Sequence, residues 1–179
     1  MGPTTVTNNL FIHNEQEGIH LEVSTRLNIN GNYFFGNKIA AYVRESSYVT
    51  VQNNMMMMSR GYSTDVFDGP RAVNVPGGCT CFNNLSGNKM VAGLYRLQKP
   101  ANNTSNSNFF VSPNTYIGDG SKTLPAFISA TGDDKLSLAY INKNPTSYTV
   151  DGATMLVRAN SKIFTSKAQM DQFYSQMAH

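Results

Sequence analysis

Charge is scarce in this sequence. Only 14% of its 179 residues are Asp, Glu, Lys or Arg, against about a quarter in typical soluble domains. The net charge is +3 and the Lys and Arg residues are scattered, so the chain lacks the basic stripe with which proteins bind nucleic acid. It also lacks an apolar run long enough to cross a bilayer. We therefore expect no nucleic-acid partner and no membrane insertion.

The motifs of common catalytic and metal sites are missing too. The sequence contains no phosphate loop, no nucleophile elbow and no His-Glu-x-x-His. Cys79 and Cys81 form a single C-x-C pair, whereas a structural zinc site needs four ligands. His13, His20 and His179 share no ligand spacing. We expect no cofactor and no metal, and we interpret both cysteines as free thiols.

What the chain does contain is a repeated phrase of one aliphatic residue followed by small polar residues. The phrase begins at Val6, Ile29, Val51 and Val75, so its starts are 22 to 24 residues apart. A fixed period of this length indicates a solenoid, in which each repeat buries its apolar residues against the next. Because the phrase is rich in Val, Ile, Asn and Gly, each repeat predicts one rung of a parallel β-helix. The four aliphatic residues should stack in the interior.

The same register aligns residues beyond the phrase. Polar residues alternate with the aligned apolar ones, as in strands with one wet face. Asn and Gly suit the corners between strands because both tolerate a left-handed backbone, and stacked Asn side chains could bond from rung to rung. The predicted interior columns are Ile19 over Ala41, Leu21 over Val43 and then Phe67, Leu27 over Val49 and then Val73, and Phe11 over Phe34 and Met56.

The repeat fades after about residue 98, where Pro100 would interrupt a strand ladder. One last corner is predicted at 108–110, which resembles 32–34. Beyond it we predict short strands at 126–128, 136–141, 147–150 and 154–157, separated by turn signals. A helix at 166–173 should place Met170, Phe173 and Met177 on one face. The chain is thus divided into β-helix rungs, residues 4–118, and a β-rich C-terminal cap or trimerisation region, residues 119–179.

Rungs such as Ile29-Asn30-Gly31-Asn32-Tyr33-Phe34, followed by a non-repetitive tail, resemble the C-terminal part of a bacteriophage tailspike. More broadly they are similar to the right-handed parallel β-helix proteins, which include pectate lyases. The resemblance covers residues 4 to 118. It implies an all-β fold, with a right-handed parallel β-helix of four to five rungs, a β-rich cap and a short terminal helix. It also implies an extracellular homotrimer on the virion tail that recognises or degrades bacterial surface polysaccharide.

Function in such a repeat must lie on outward positions. The register places Glu22, Arg44 and Asp68 in one outward column, with charges that alternate at the rung spacing of about 4.8 Å. One interpretation is a charge ladder that only offsets repulsion. The other is a sugar-binding groove, since a glycosidase needs two carboxylates about 5 to 9.5 Å apart and a lyase needs a base beside a cation. The candidate catalytic residues are Glu45, Asp65 and Asp68, and the candidate substrate-binding residues are Arg44, Tyr48 and Arg71.

Two further features bear on partners. Tyr48 lies in an outward column with Arg26, and sugars stack on exposed aromatic rings. The four methionines of residues 55–58 cannot all point inward from a strand, so some should be buried against neighbouring chains of a trimer.

Three function classes remain open. These are a polysaccharide hydrolase or lyase, a receptor-binding module without catalysis, and a trimerisation element at the end of a longer spike. The start at a bare rung, which would expose a template for further strands, predicts that the chain is a fragment. We favour binding and assembly, with catalysis as the alternative.

Overall fold

The computed structural model describes residues 3–67, 82–91, 94–97, 102–111, 123–140, 149–150, 157–158 and 164–177. Asp68, Arg71, Val75, Cys79 and Cys81 lie outside this range. Most of the described chain winds through successive rungs of three short strands. The first rung contains β1 (Thr4–Thr7), β2 (Leu10–Ile12) and β3 (Glu17–Glu22); the second contains β4 (Leu27–Asn30), β5 (Tyr33–Phe35) and β6 (Ile39–Arg44); the third contains β7 (Thr50–Gln52), β8 (Met55–Met57) and β9 (Tyr62–Phe67); the fourth contains β10 (Asn84–Ser86), β11 (Lys89–Val91) and β12 (Leu94–Leu97); and the fifth contains β13 (Thr104–Asn106) and β14 (Phe109–Val111).

Equivalent strands of successive rungs pair in parallel and form three sheets. Sheet A joins β1, β4, β7, β10 and β13, sheet B joins β2, β5, β8, β11 and β14, and sheet C joins β3, β6, β9 and β12. Five further elements follow: α1 (Leu124–Thr131), β15 (Leu138–Tyr140), the antiparallel pair β16 (Thr149–Val150) and β17 (Val157–Arg158), and α2 (Lys167–Met177). The predicted parallel β-helix is confirmed.

The predicted interior columns are confirmed in the first three rungs, with one shift of register. Val6, Ile29 and Val51 are direct neighbours on sheet A, and the Phe11 and Phe34 rings stack 4.9 Å apart. Val43, however, pairs with Val66 rather than Phe67. Glu22 pairs with Arg44 and Arg44 pairs with Phe67, so the alignment of Asp68 with Arg44 was wrong by one residue.

The fourth rung departs further from the predicted register. Leu85, and not Val75, pairs with Val51 and is fully buried. The rung step here is 34 residues rather than 24, because the connection from β9 to β10 is longer than the others. Interior stacking demands only an aliphatic residue on the next strand, and a longer connection costs little extra closure entropy. A constant period therefore misassigned this position.

The rungs also continue beyond residue 98. Strands β13 and β14 complete sheets A and B in the fifth rung, and β15 adds one more parallel strand to sheet B. The predicted corner at 108–110 is confirmed, but the predicted fading of the repeat was wrong. Pro100 falls in sequence between β12 and β13, so it interrupts neither strand.

A ladder of asparagines joins the rungs at the corner between sheets A and B. Asn32, Asn54, Asn88 and Asn108 are buried, and each side-chain oxygen accepts a hydrogen bond of 2.9 to 3.2 Å from the backbone amide of the asparagine one rung before. Their amide groups donate to interior-strand carbonyls, as Asn54 Nδ2 does to the carbonyl of Ile29. Polar corner groups that water cannot reach are satisfied in this way.

The end of the core is covered by α1. Leu124 and Phe127 are buried in the interior cluster together with Tyr95 and Phe110. The strand predicted at 126–128 was therefore wrong. Short apolar runs do not separate strand from helix, and here Pro125 in the first turn and the left-handed Gly132 bound a helix. The strands predicted near 136–141, 147–150 and 154–157 correspond to β15, β16 and β17.

The predicted terminal helix is confirmed as α2, which packs on the outer face of sheet B. Met170 and Phe173 lie in one cluster with Phe35, Met55 and Met57. Met55 to Met58 are all at most 3% exposed, because Met56 points inward and the other three join the cluster under α2. The chain thus covers its own methionines, and the run supplies no exposed surface for a contact between chains.

The asparagine ladder yields a stability prediction. Asn54→Ala should lower the free energy of unfolding by at least about 3 kcal/mol, since several buried partners lose their hydrogen bonds at once. The adjacent Asn53 is exposed and has a left-handed backbone. Its side chain donates a hydrogen bond to that of Asn30, and its backbone amide donates one to the carbonyl of Ser86, which a glycine would keep. Asn53→Gly is therefore the matched control and should cost less than about 1 kcal/mol. Equal losses in urea unfolding would contradict a structural role for the ladder.

Candidate functional site

The three sheets present outer faces of different chemistry. The outer face of sheet B is apolar and lies under α2. The outer face of sheet C, here called the charged face, carries carboxylates, arginines, tyrosines and a histidine. The outer face of sheet A, here called the uncharged face, carries amides and hydroxyls. The predicted site residues divide between the last two.

A column of four cross-strand neighbours crosses the charged face: His20, Tyr42, Asp65 and Arg96. The His20 and Tyr42 rings lie 4.8 Å apart. Arg96 donates two hydrogen bonds to the Asp65 carboxylate, at 2.6 Å from Nε and 2.5 Å from Nη2. Its guanidinium also lies 4.8 Å from the centre of the Tyr62 ring. The column is a packed structure with one bidentate ion pair.

Burial governs the electrostatics of that pair. Asp65 is only 2% exposed, and desolvation raises the pKa of its carboxyl, although the hydrogen bonds and charge of Arg96 oppose the shift. The hydrogen bonds to Asp65 in turn raise the pKa of Arg96. Burial, and next the nearby Asp65 charge, raise the pKa of Tyr42. Asp65 is therefore a shielded carboxyl held by Arg96.

The second column of the charged face is more exposed. Arg44 lies 3.6 Å from Glu22, and both side chains are 36% exposed. His20 is 3.7 Å from Glu17 and 3.9 Å from Glu22. The predicted alternation of charge is thus confirmed for Glu22 and Arg44. Pairs this exposed contribute at most about 1 kcal/mol.

The remaining described candidates lie at the corner that follows sheet C. Glu45 comes directly after β6, has a left-handed backbone and is 3% exposed. Tyr48 also has a left-handed backbone, but half of its side chain is exposed. Tyr48 lies on the sheet A side of this corner, whereas Arg44 and Asp65 lie on sheet C. The structure therefore does not gather the predicted residues into one groove, and Asp68 and Arg71 lie outside the described residues.

The uncharged face extends over all five rungs of sheet A. Its two outward columns contain only Thr, Asn, Gln and Ser: Thr5, Asn28, Thr50, Asn84 and Thr104 in one, and Thr7, Asn30, Gln52, Ser86 and Asn106 in the other. An open groove of about 480 Å³ lies on its first three rungs. It is lined by Pro3, Arg26, Leu27, Asn28, Tyr48, Thr50 and Gln52.

Two features of this face suit a hydroxyl-rich ligand. Tyr48 and Phe82 form an exposed aromatic pair at its edge, with ring centres 5.4 Å apart and planes tilted by 31°. Among the residues that line the groove, the buried side-chain oxygen of Asn28 accepts no hydrogen bond from the described residues. A constant period does not reveal Phe82, because the register changes before β10. Anchoring that rung on Asn83, whose side chain bonds to the amide of Val49, places Phe82 beside Tyr48.

The described residues contain no group of three or more His, Cys, Asp or Glu that could hold a metal ion. No described helix is both long and apolar enough to cross a membrane.

The Asp65–Arg96 pair yields a second prediction. Arg96→Ala should cost about 3 kcal/mol of unfolding free energy, because a buried carboxylate loses its counter-charge. The control Arg44→Ala, which breaks the exposed pair with Glu22, should cost less than about 1 kcal/mol. Adding Asp65→Asn to the Arg96 variant should recover part of the loss. Thermal or urea unfolding of the four proteins measures these differences, and equal effects of the two arginine variants would contradict the assignment.

A family model, rather than an individual relative, identifies the family. Comparison with curated proteins and with solved structures gives no match. The family model described as "Right handed beta helix region" matches residues 2–124, more than half of the chain. The match spans all five rungs and accords with the parallel sheets. The chain therefore belongs to the right-handed β-helix family.

Proposed function

We propose that this chain is the C-terminal part of a trimeric bacteriophage tailspike, which binds bacterial surface polysaccharide from its place on the virion. The family is compatible with polysaccharide-binding and polysaccharide-degrading proteins. The phage assignment comes from the resemblance of the rungs and tail to tailspikes. The proposal that the chain binds polysaccharide rests on the chemistry of its outer faces.

The observation that carries the binding proposal is the exposed pair of Tyr48 and Phe82 beside the uncharged face. Aromatic rings stack on the apolar faces of sugars, and amides and hydroxyls hydrogen-bond to sugar hydroxyl groups. The other two faces are less suited. The apolar face is under α2, and the arginines of the charged face are engaged with Asp65 and Glu22.

Degradation of the polysaccharide is the second candidate function. The raised pKa of Asp65 favours it, because a glycosidase needs one carboxyl that stays protonated as a general acid. Against it, Asp65 and Glu45 are both buried. We expect the wild-type protein to bind without releasing reducing ends or unsaturated sugars. Product release that is abolished by Asp65→Asn, in a variant that remains folded, would instead establish the enzyme.

The aromatic pair gives the test of binding. Tyr48→Ala and Phe82→Ala should each weaken binding to a recognised polysaccharide about tenfold or more, since a stacked ring contributes roughly 0.5 to 1.5 kcal/mol beyond its buried area. Tyr48→Phe retains the ring and should lose less than about threefold. The measurement is calorimetry on purified bacterial polysaccharides, with circular dichroism to verify folding. Unchanged affinity in both alanine variants would contradict the proposed site.

Trimer formation has its own test. Leu136 and Leu138 are 70% and 50% exposed, just before and at the start of β15, the edge strand of sheet B, and an exposed apolar pair beside a strand edge suits a contact between chains. Light scattering should give about three times the chain mass of 19.7 kDa. Leu136→Asp with Leu138→Asp should dissociate this species, whereas Val23→Asp, at another exposed apolar residue, should leave it intact. A wild-type species of 19.7 kDa would contradict the trimer.

A further inference from the structure

We infer that the uncharged face binds a linear, uncharged glycan that lies along the β-helix axis, with one sugar unit per rung. This inference rests on the proposed polysaccharide binding and specifies the chemistry of the ligand and its direction.

The absence of charge on the face indicates an uncharged ligand. All ten outward positions of sheet A are amides or hydroxyls, and Arg26 is the one charged residue among those that line the groove. A glycan with an acid in every repeat would need a cation on successive rungs. Several other described cations have partners away from this face. Arg44 and Arg96 pair with carboxylates on sheet C, and Lys89 and Lys167 lie over tyrosine rings where sheet B meets α2. Lys38 donates a hydrogen bond to the side chain of Gln16, and Arg60 donates one to the carbonyl of Asn14.

The spacing of the polar columns indicates the direction of the ligand. Neighbouring rungs are separated by about 4.8 Å, which is close to the length of one sugar ring with its linkage. Thr50 and Asn84 are cross-strand neighbours, as are Gln52 and Ser86. A chain of sugars along the axis therefore meets an equivalent pair of polar side chains at every unit. A chain across the axis would instead run along one strand of a single rung. At the end of that strand it would leave sheet A for the apolar face or the charged face.

The aromatic pair follows the same axis. Arg26, Tyr48 and Phe82 precede β4, β7 and β10 respectively, so they occupy the same corner of successive rungs. Tyr48 and Phe82 thus form a platform that extends over the third and fourth rungs. Two consecutive sugars can stack there while their hydroxyl groups face the amides and hydroxyls of sheet A.

A charge test uses purified bacterial polysaccharides with and without acidic groups. The proteins that we compare are the wild type and Arg26→Gln. We expect binding to uncharged polysaccharides, a change of less than about twofold between low and high salt, and a similarly small effect of Arg26→Gln. Binding to acidic polysaccharides alone, or a loss of about tenfold with salt or with Arg26→Gln, would overturn the uncharged ligand and leave polysaccharide binding standing. A failure to bind any polysaccharide would overturn both.

A length test uses oligosaccharides cut from the polysaccharide that binds. Affinity should rise with each added unit up to about five, the number of rungs in sheet A. Thr50→Val and Asn84→Ala, on adjacent rungs, should each lower affinity about fivefold, in keeping with the loss of one hydrogen bond. Glu22→Gln on the charged face is the control and should have no effect. Affinity that saturates at one or two units, or a loss in only one of the two rung variants, would overturn the axial direction.

Discussion

The hydrogen-bonded stacking of one rung on the next is the constraint on which the rest of this structure depends. Strand ladders connect the flat parts of each rung, and buried asparagines connect the corner between sheets A and B. At that corner a left-handed residue precedes each asparagine, as Gly31 precedes Asn32 and Gly87 precedes Asn88. The bend leaves backbone groups in the interior without strand partners, and the amide side chains satisfy them. Every outer face inherits its geometry from this stack.

Because the rungs are held at their strands and corners, the chain between rungs is free to vary. The step along sheet A is 23 residues from Val6 to Ile29, 34 from Val51 to Leu85 and 20 from Leu85 to Ser105. Each of these residues nevertheless occupies the same column. Added connecting residues cost little free energy because the closure entropy rises only slowly with length. Helix α1 then covers the core after the fifth rung.

The regular stack also separates chemistry by face. Sheet B is apolar outside and is covered by α2, where Tyr33 donates a hydrogen bond to Asp171 and Lys89 lies over the Tyr174 ring. Sheet C carries ion pairs that stabilise the face itself. Sheet A carries amides, hydroxyls and an exposed aromatic pair, which is why the proposed ligand is assigned there.

The sequence by itself determined the parallel β-helix and the inward columns of the first rungs, because these follow from local periodicity that every rung repeats. It also determined the terminal helix, where Met170 and Phe173 recur at helical spacing. It also identified Tyr48 as an outward aromatic residue. Only the tertiary structure decided that Leu85 follows Val51, that Phe82 lies against Tyr48 and that Arg96 binds Asp65. Those pairs join residues 31 to 34 positions apart across a connection of unusual length, and periodicity carries no information on how long a connection is. The cover over Met55 to Met58 was equally invisible, since α2 returns from more than 100 residues away, and which surface it covers depends on the packing of the whole stack.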